Sequence, residues 1–414
     1  MRNSYRHYAR HCGAAILASV LSAAASSGPK LTADRWSISA DIECGNSRII
    51  ERIGRDHFAV APREDPVPIE VQKTGPISNY VLYIEVANLE SKPREITLDV
   101  LIPEWLIRDK FDYFLRKAYL LRSPDDMDYY ELAAERHTSM PEKMRLRVDF
   151  AARERKIIAT TPAYPYSVLR KKLESIERKS NGKAHIREIG RSVEGLPILS
   201  METGDKSMPR AVFSATFQPG EPSAWAIVAM IEAALFDSEL THFQQKYDLA
   251  FVPMTNPDGV VHGSNNVNGK GEIVLLGFDA EAQSKEGNHE AKVLWNYLKP
   301  KPPVVMLDFH FLTLPNHPIP RPYVFIPTLY KDPERRKAGV SLVRRLEKLS
   351  GAGEGKPIAE NHPMWKHLVT YNAVTNWNTV ATLYQNTGPK ASYRQAQRRG
   401  VEVMRVALDP EYMK

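Results

Sequence analysis

The stretch that most constrains the fold lies between residues 211 and 235. An apolar run over residues 211–215 gives way to Phe217-Gln218-Pro219-Gly220-Glu221, and beyond it Ile227, Ile231 and Leu235 recur at four-residue spacing. A short strand, a Pro-Gly turn and then a helix predict that Gln218 and Glu221 project together from the rim of a sheet. The chain downstream repeats the same alternation. Strands are expected over residues 211–215, 249–253, 304–309, 323–326 and 380–383, and helices over 223–236, 287–298 and 334–349. Asp332 as cap and Pro333 at the first helical position open the last of these helices. Ser167 is expected to cap another, in which Leu169, Leu173 and Ile176 form an apolar stripe. Short apolar strands between amphipathic helices predict an α/β fold, with a mixed, mostly parallel sheet and helices on both faces. Ligands in such folds lie beyond the carboxyl ends of the strands.

Residues 36–160 read differently. Tyr80, Leu82, Ile84 and Val86 alternate onto one face, as do Ile96, Leu98 and Val100, and strand character resumes over 144–150 and 156–160. This predicts a small sandwich of short antiparallel strands. It is expected to end at Thr161-Pro162-Ala163-Tyr164-Pro165-Tyr166-Ser167, with the α/β part over 161–414. Residues 105–140 offer no assignable pattern. A chain of 414 residues, 43% apolar, can bury more than one such core.

At the N-terminus Arg2, Arg6 and Arg10 precede an apolar run over residues 14–25 that ends in Ala23-Ala24-Ala25. That pattern predicts a signal peptide over 1–25 and export to the periplasm or outside the cell. The run is well short of the roughly 20 residues a membrane-spanning helix needs, and no later segment approaches that length. Of the two cysteines, Cys12 lies inside the expected signal, so Cys44 has no internal disulfide partner in the mature chain. The net charge of +7 is modest, and no basic stripe is interleaved with aromatics, which argues against nucleic-acid binding. Arg335-Arg336-Lys337 and Arg344-Arg345 read as solvated helix faces.

Several pieces of the second region resemble zinc carboxypeptidases of the M14 type, and in the same order. Ile189-Gly190-Arg191-Ser192-Val193-Glu194-Gly195-Leu196-Pro197-Ile198 resembles that family's opening signature, and Gln218-Pro219-Gly220-Glu221 its His-Pro-Gly-Glu metal motif. Asn256-Pro257-Asp258-Gly259 is similar to its Asn-Pro-Asp-Gly loop, and Leu307-Asp308-Phe309-His310 to the strand that delivers the third ligand. Thr382-Leu383-Tyr384 sits where the family has Thr-x-Glu. The strand-rich first part and Tyr164-Pro165-Tyr166-Ser167 resemble the cytosolic-carboxypeptidase subfamily, so the resemblance runs from about residue 36 to the C-terminus.

The resemblance implies a zinc held by three side chains with an open position for water. By position these are Gln218, Glu221 and His310, and Gln218 offers only a neutral amide where the family has imidazole. His262 and His317 are the histidines near enough in sequence to compensate. The family's general base falls on Tyr384 in direct register or on Gln385 after a one-residue slip; neither titrates near neutrality. Asn266 stands at the oxyanion arginine, and Glu281 and Ala282 at the Asn-Arg pair that grips a substrate carboxylate, a role Arg321 is poorly placed to assume. Taken singly, the Pro-Gly and Asn-Pro-Asp-Gly pieces are ordinary turn sequences, Glu221 complements a helix dipole, and His310 fits a satisfied core histidine. The expectation is an exported carboxypeptidase-like protein with a degenerate, inactive or impaired site that binds a peptide or peptide-like ligand. The alternative is an active zinc metallohydrolase with a remodelled centre built on Glu221, His310 and His262.

Overall fold

The computed structural model describes residues 28–65, 79–108, 112–117, 119–126, 131–132, 137–279, 283, 288–312, 321–324, 326–350, 364–387 and 393–409. The expected signal peptide with Cys12, and Glu281, Ala282 and His317, lie outside the described residues.

Eleven described strands precede residue 160: β1 (Lys30–Ala33), β2 (Trp36–Ser39), β3 (Ile49–Gly54), β4 (His57–Ala61), β5 (Tyr83–Asn88), β6 (Arg94–Leu101), β7 (Leu120–Arg122), β8 (Glu131–Leu132), β9 (His137–Met140), β10 (Lys143–Phe150) and β11 (Arg155–Ala159). They form two stacked sheets, ordered β1-β2-β5-β11-β7-β8 and β3-β4-β6-β10-β9. The core between them holds Trp36, Ile38, Phe58, Ile84, Leu98, Leu146 and Phe150, with Trp36 edge-on to Phe150 at 5.3 Å. The expected antiparallel pairing holds except between β4 and β6, which run parallel. The chain crosses to the other sheet at β5 between them and therefore re-enters in the same direction. Residues 105–140, unreadable in sequence, include the short helices Glu104–Arg108 and Tyr113–Lys117 as well as β7, β8 and β9. Segments this brief carry too few residues to show a period.

The second region is a seven-stranded sheet of β12 (Ala184–Arg191), β13 (Pro197–Gly204), β14 (Arg210–Ala215), β15 (Asp248–Val252), β16 (Val305–Leu312), β17 (Arg321–Val324) and β18 (Val380–Thr387). Their order is β12-β13-β15-β14-β16-β18-β17. The four central strands β15, β14, β16 and β18 are parallel, and the flanking strands join antiparallel. Every residue of β14 and β15 is buried, as expected of strands covered on both sides. Helices Tyr166–Lys179, Ala224–Phe236, Pro333–Ser350 and Tyr393–Leu408 cover one face through Leu169, Trp225, Leu342 and Val403. Helices His289–Leu298 and Val369–Trp377 cover the other through Leu294 and Val369.

Helix Ala224–Phe236 is apolar around most of its circumference because most of it is buried; the exception, Glu232, is partly exposed and pairs with Lys172 at 2.7 Å. Asp332 caps its helix as expected, accepting from the Glu334 backbone at 2.9 Å. Ser167 does not cap: Pro165 occupies that position, and Ser167 lies in the first turn, where its backbone N–H donates to Glu43 of the sandwich at 2.9 Å. No helix among the described residues is long and apolar enough to cross a membrane.

One face of the sandwich joins a core of the α/β region. Neighbouring residues on three adjacent strands point opposite ways: Tyr83, Ile157 and Leu120 join the cluster that contains the α/β helices, while Ile84, Ile158 and Leu121 fill the sandwich. This is the period-2 alternation of a strand, with apolar layers on both sides.

Candidate functional site

The site forms where β14 and β16 end. After β14 the chain turns at Thr216, whose φ of +58° is unusual for a β-branched residue. The turn is closed by Glu221 N–H donating to Gln218 O at 3.0 Å, just ahead of helix Ala224–Phe236. Gly220 is required here: a Cβ would lie 1.8 Å from Asn265 Oδ1, and the Gly220 N–H donates to Asn265 O at 2.9 Å. Only glycine lets the turn lie this close to the neighbouring loop.

On β16, Asp308 and His310 share a face because they are two residues apart. His310 Nε2 lies 3.0 Å from Asp308 Oδ2, and Nδ1 lies 3.1 Å from Glu221 Oε2. The imidazole is 2% exposed. Burial disfavours its charge, yet the two carboxylates, Asp308 foremost, outweigh burial and hold its pKa up to about 10. Both ring nitrogens of His310 thus have a carboxylate partner. Gln218 turns to the other side, its Nε2 donating to Asn266 Oδ1 at 2.6 Å.

The structure thus brings Glu221 to His310 and Gln218 to Asn266. Gln385 lies beside His310 in the β16–β18 register, on the same face. Tyr384 does not join them. It pairs with Phe309, packs on that ring at 5.6 Å and is fully buried in the layer on the opposite side of the sheet. The direct register is corrected accordingly, since residues one apart on a strand face opposite ways. His262 is held by Glu194 at 2.7 and 2.8 Å, away from this cluster. Arg321 pairs in register with Gln385 along the backbone.

Gln218, Glu221 and His310 do not form a zinc-fitting donor set. Zinc takes lone pairs from imidazole, thiolate or carboxylate; Glu221 and His310 are such donors, with Asp308 placed to orient the imidazole from its other nitrogen, but the third position is a neutral amide, already bonded to Asn266. Among the described residues no group of three or more His, Cys, Asp or Glu is arranged to hold a metal ion.

A second polar cluster buttresses the site from below. Asn256 Oδ1 accepts from Gly259 N–H at 3.0 Å and starts the short helix Pro257–Val261. Asp258, fully buried, accepts from the Ser192 hydroxyl and from the Glu194 backbone at 3.0 Å. Burial, with Glu290 and Glu194 nearby, raises its pKa to about 6 despite these donors. Glu290, also fully buried, accepts from Val193 N–H at 2.9 Å and from Asn268 Nδ2 at 2.6 Å. Two stretches singled out in the sequence, 189–198 and 256–259, are thus bolted to each other. No local pattern marked Glu290 as a partner, nor Asp65 and Asn79 of the sandwich, of which Asp65 accepts from the Asn265 and Asn266 backbone. Tyr80 is buried, and burial followed by the Glu221 charge pushes its phenol pKa well up.

The family model for zinc carboxypeptidase matches residues 169–297. Cytosolic carboxypeptidase 1 of Danio rerio is 30% identical over 110 residues, which is 25% of this chain and 10% of that protein; the match spans about a tenth of the relative's length. A metallo-carboxypeptidase from Burkholderia cenocepacia superposes with a TM-score of 0.72 at 13% identity, covering 90% of this chain and 98% of that one. One from Pseudomonas aeruginosa, solved in complex with (2-guanidinoethylmercapto)succinic acid, gives 0.72 at 16% identity, covering 91% and 100%. The resemblance read from the motifs holds, and the chain has a carboxypeptidase-like fold with the strand-rich region included.

Proposed function

We propose that this carboxypeptidase-like chain is an exported protein whose cleft binds a peptide or peptide-like ligand without hydrolysing it. The observation that supports the reading is at Gln218: the position to which the resemblance assigns an imidazole ligand carries a neutral amide bonded to Asn266, while Glu221 and His310 bond to each other. Gln385, on the face where a general base would be needed, carries an amide that does not titrate. Gln218 and Glu221 remain partly exposed at the rim, so a ligand can still reach the cleft. A peptide is favoured over other ligands by the carboxypeptidase-like fold.

The alternative, a working metallohydrolase with a remodelled centre, draws support from Glu221 and His310 keeping the adjacency of two ligands. Metal analysis separates the two. Protein dialysed against zinc-free buffer is expected to hold far less than stoichiometric zinc and to leave C-terminal peptide bonds intact, while Gln218→His is expected to tighten zinc binding by about tenfold or more, read by calorimetry. Stoichiometric zinc in the unaltered protein together with peptide hydrolysis would overturn the binding-only reading.

A further inference from the structure

The loop that follows Asn256-Pro257-Asp258-Gly259 is satisfied largely by the other region of the chain. Val261 O accepts from Cys44 N–H at 3.0 Å, His262 O from Arg63 Nη2 at 2.7 Å, and Gly263 O from Asn46 Nδ2 at 2.6 Å. Asp65 Oδ2 accepts the N–H groups of Asn265 at 2.8 Å and Asn266 at 3.2 Å, and its Oδ1 accepts from Asn79 Nδ2 at 2.7 Å. Gly263 has φ +63°, and a Cβ there would lie 2.5 Å from Cys44 O, so the two backbones meet directly.

These bonds fall into two groups. Cys44, Arg63 and Asn46 tie the front of the loop at residues 261–263, and Asn79 reaches both groups, its Nδ2 donating to Gly263 O at 3.3 Å as well as to Asp65. Asp65 ties the two residues that touch the candidate site: Asn265, whose carbonyl accepts from Gly220, and Asn266, whose Oδ1 accepts from Gln218. A charged acceptor on successive backbone N–H groups fixes a loop more tightly than neutral partners do. Asp65 is only 6% exposed, and Asn79 holds its second oxygen.

We propose that Asp65 is a positioning residue for the cleft: from the sandwich it sets the backbone of Asn265 and Asn266, and through Asn266 the orientation of the Gln218 amide. The sandwich is then a working part of the binding site. This rests on the reading of that cleft as the ligand site.

The test uses the full chain with Asp65→Ala, Asn79→Ala, which keeps the carboxylate but removes the bond to its second oxygen and those to Gly263 O and Val81 N–H, and Arg63→Ala as a control that removes the bond to His262 O and a charge beside Asp65 but leaves the bonds of Asp65 itself. One readout is the side-chain amide resonance of Gln218 by NMR, with hydrogen exchange at the Asn265 and Asn266 amides. Asp65→Ala and Asn79→Ala are expected to shift the Gln218 resonance and to speed exchange at both amides by about tenfold, whereas Arg63→Ala leaves Gln218 in place. The other readout is zinc-ion affinity in a Gln218→His background, expected to weaken by about tenfold with Asp65→Ala and to hold with Arg63→Ala. Should Asp65→Ala fail to fold, Asn79→Ala carries both readouts. A Gln218 resonance unmoved in the folded variants, or a shift equally large in Arg63→Ala, overturns the positioning role. If Gln218→His takes up no zinc in any background, the reading of the cleft falls, and the resonance still decides the role of Asp65.

Discussion

Two polar clusters a few residues apart in the fold have fared differently. The lower one, Ser192, Asp258, Glu290 and Asn268, keeps the residues that the carboxypeptidase resemblance led one to expect at Ser192 and Asp258, and its carboxylates accept backbone N–H groups from the opposing loop. In the upper one Gln218 bonds to Asn266 and Glu221 to His310, so its members satisfy one another. The difference follows from what each cluster must satisfy. Buried backbone groups have to be paired in every folded copy of the chain, whereas Gln218 and Glu221, only partly buried, have water as a substitute partner.

The contrast predicts graded costs. Glu290→Ala should be the most damaging, removing the acceptor for Val193 N–H and Asn268 in a dry setting; a loss of about 3 kcal/mol in chemical denaturation is expected, and a loss near zero would dissolve the distinction. Next comes a dependence on pH. Asp258 has its folded pKa near 6, above that of an exposed carboxylate, so between roughly pH 4 and 6 the folded state holds a proton the unfolded chain releases. Its contribution is fully present below that window and is lost as pH rises through about 6, on the order of 2 kcal/mol. Asp258→Asn should flatten this part of the stability curve; a slope that persists unchanged assigns it to another group. Smallest is the rim: Gln218→Ala gives up one half-exposed hydrogen bond and should cost about 1 kcal/mol or less. A cost there as large as at Glu290 would mean the upper cluster too holds the fold together.

The α/β region was largely legible because its buried central strands are apolar runs and its helices carry stripes: β14, β15 and β16 and helix Pro333–Ser350 all lie where the periodicity put them. The adjacency of Glu221 and His310 was readable from motif order. What escaped had physical reasons. Tyr384 and Gln385 could not be told apart because strand register is set by pairing with β16, and a single step reverses the face. β12 and β13 are mixed polar and apolar in sequence and, near the sheet edge, only partly buried in β12. Asp65 meets Asn265 across 200 residues of chain, a distance over which no local pattern carries information.

The three strands β5, β7 and β11 have one further consequence. Since Tyr83, Leu120 and Ile157 face one core and the residue after each faces the other, severing the chain after residue 160 would lay bare a greasy wall on each fragment. Residues 161–414 made without their leader half are expected to collect in inclusion bodies, and a graft of the α/β part onto a foreign partner would need that wall rebuilt before it could stay dissolved.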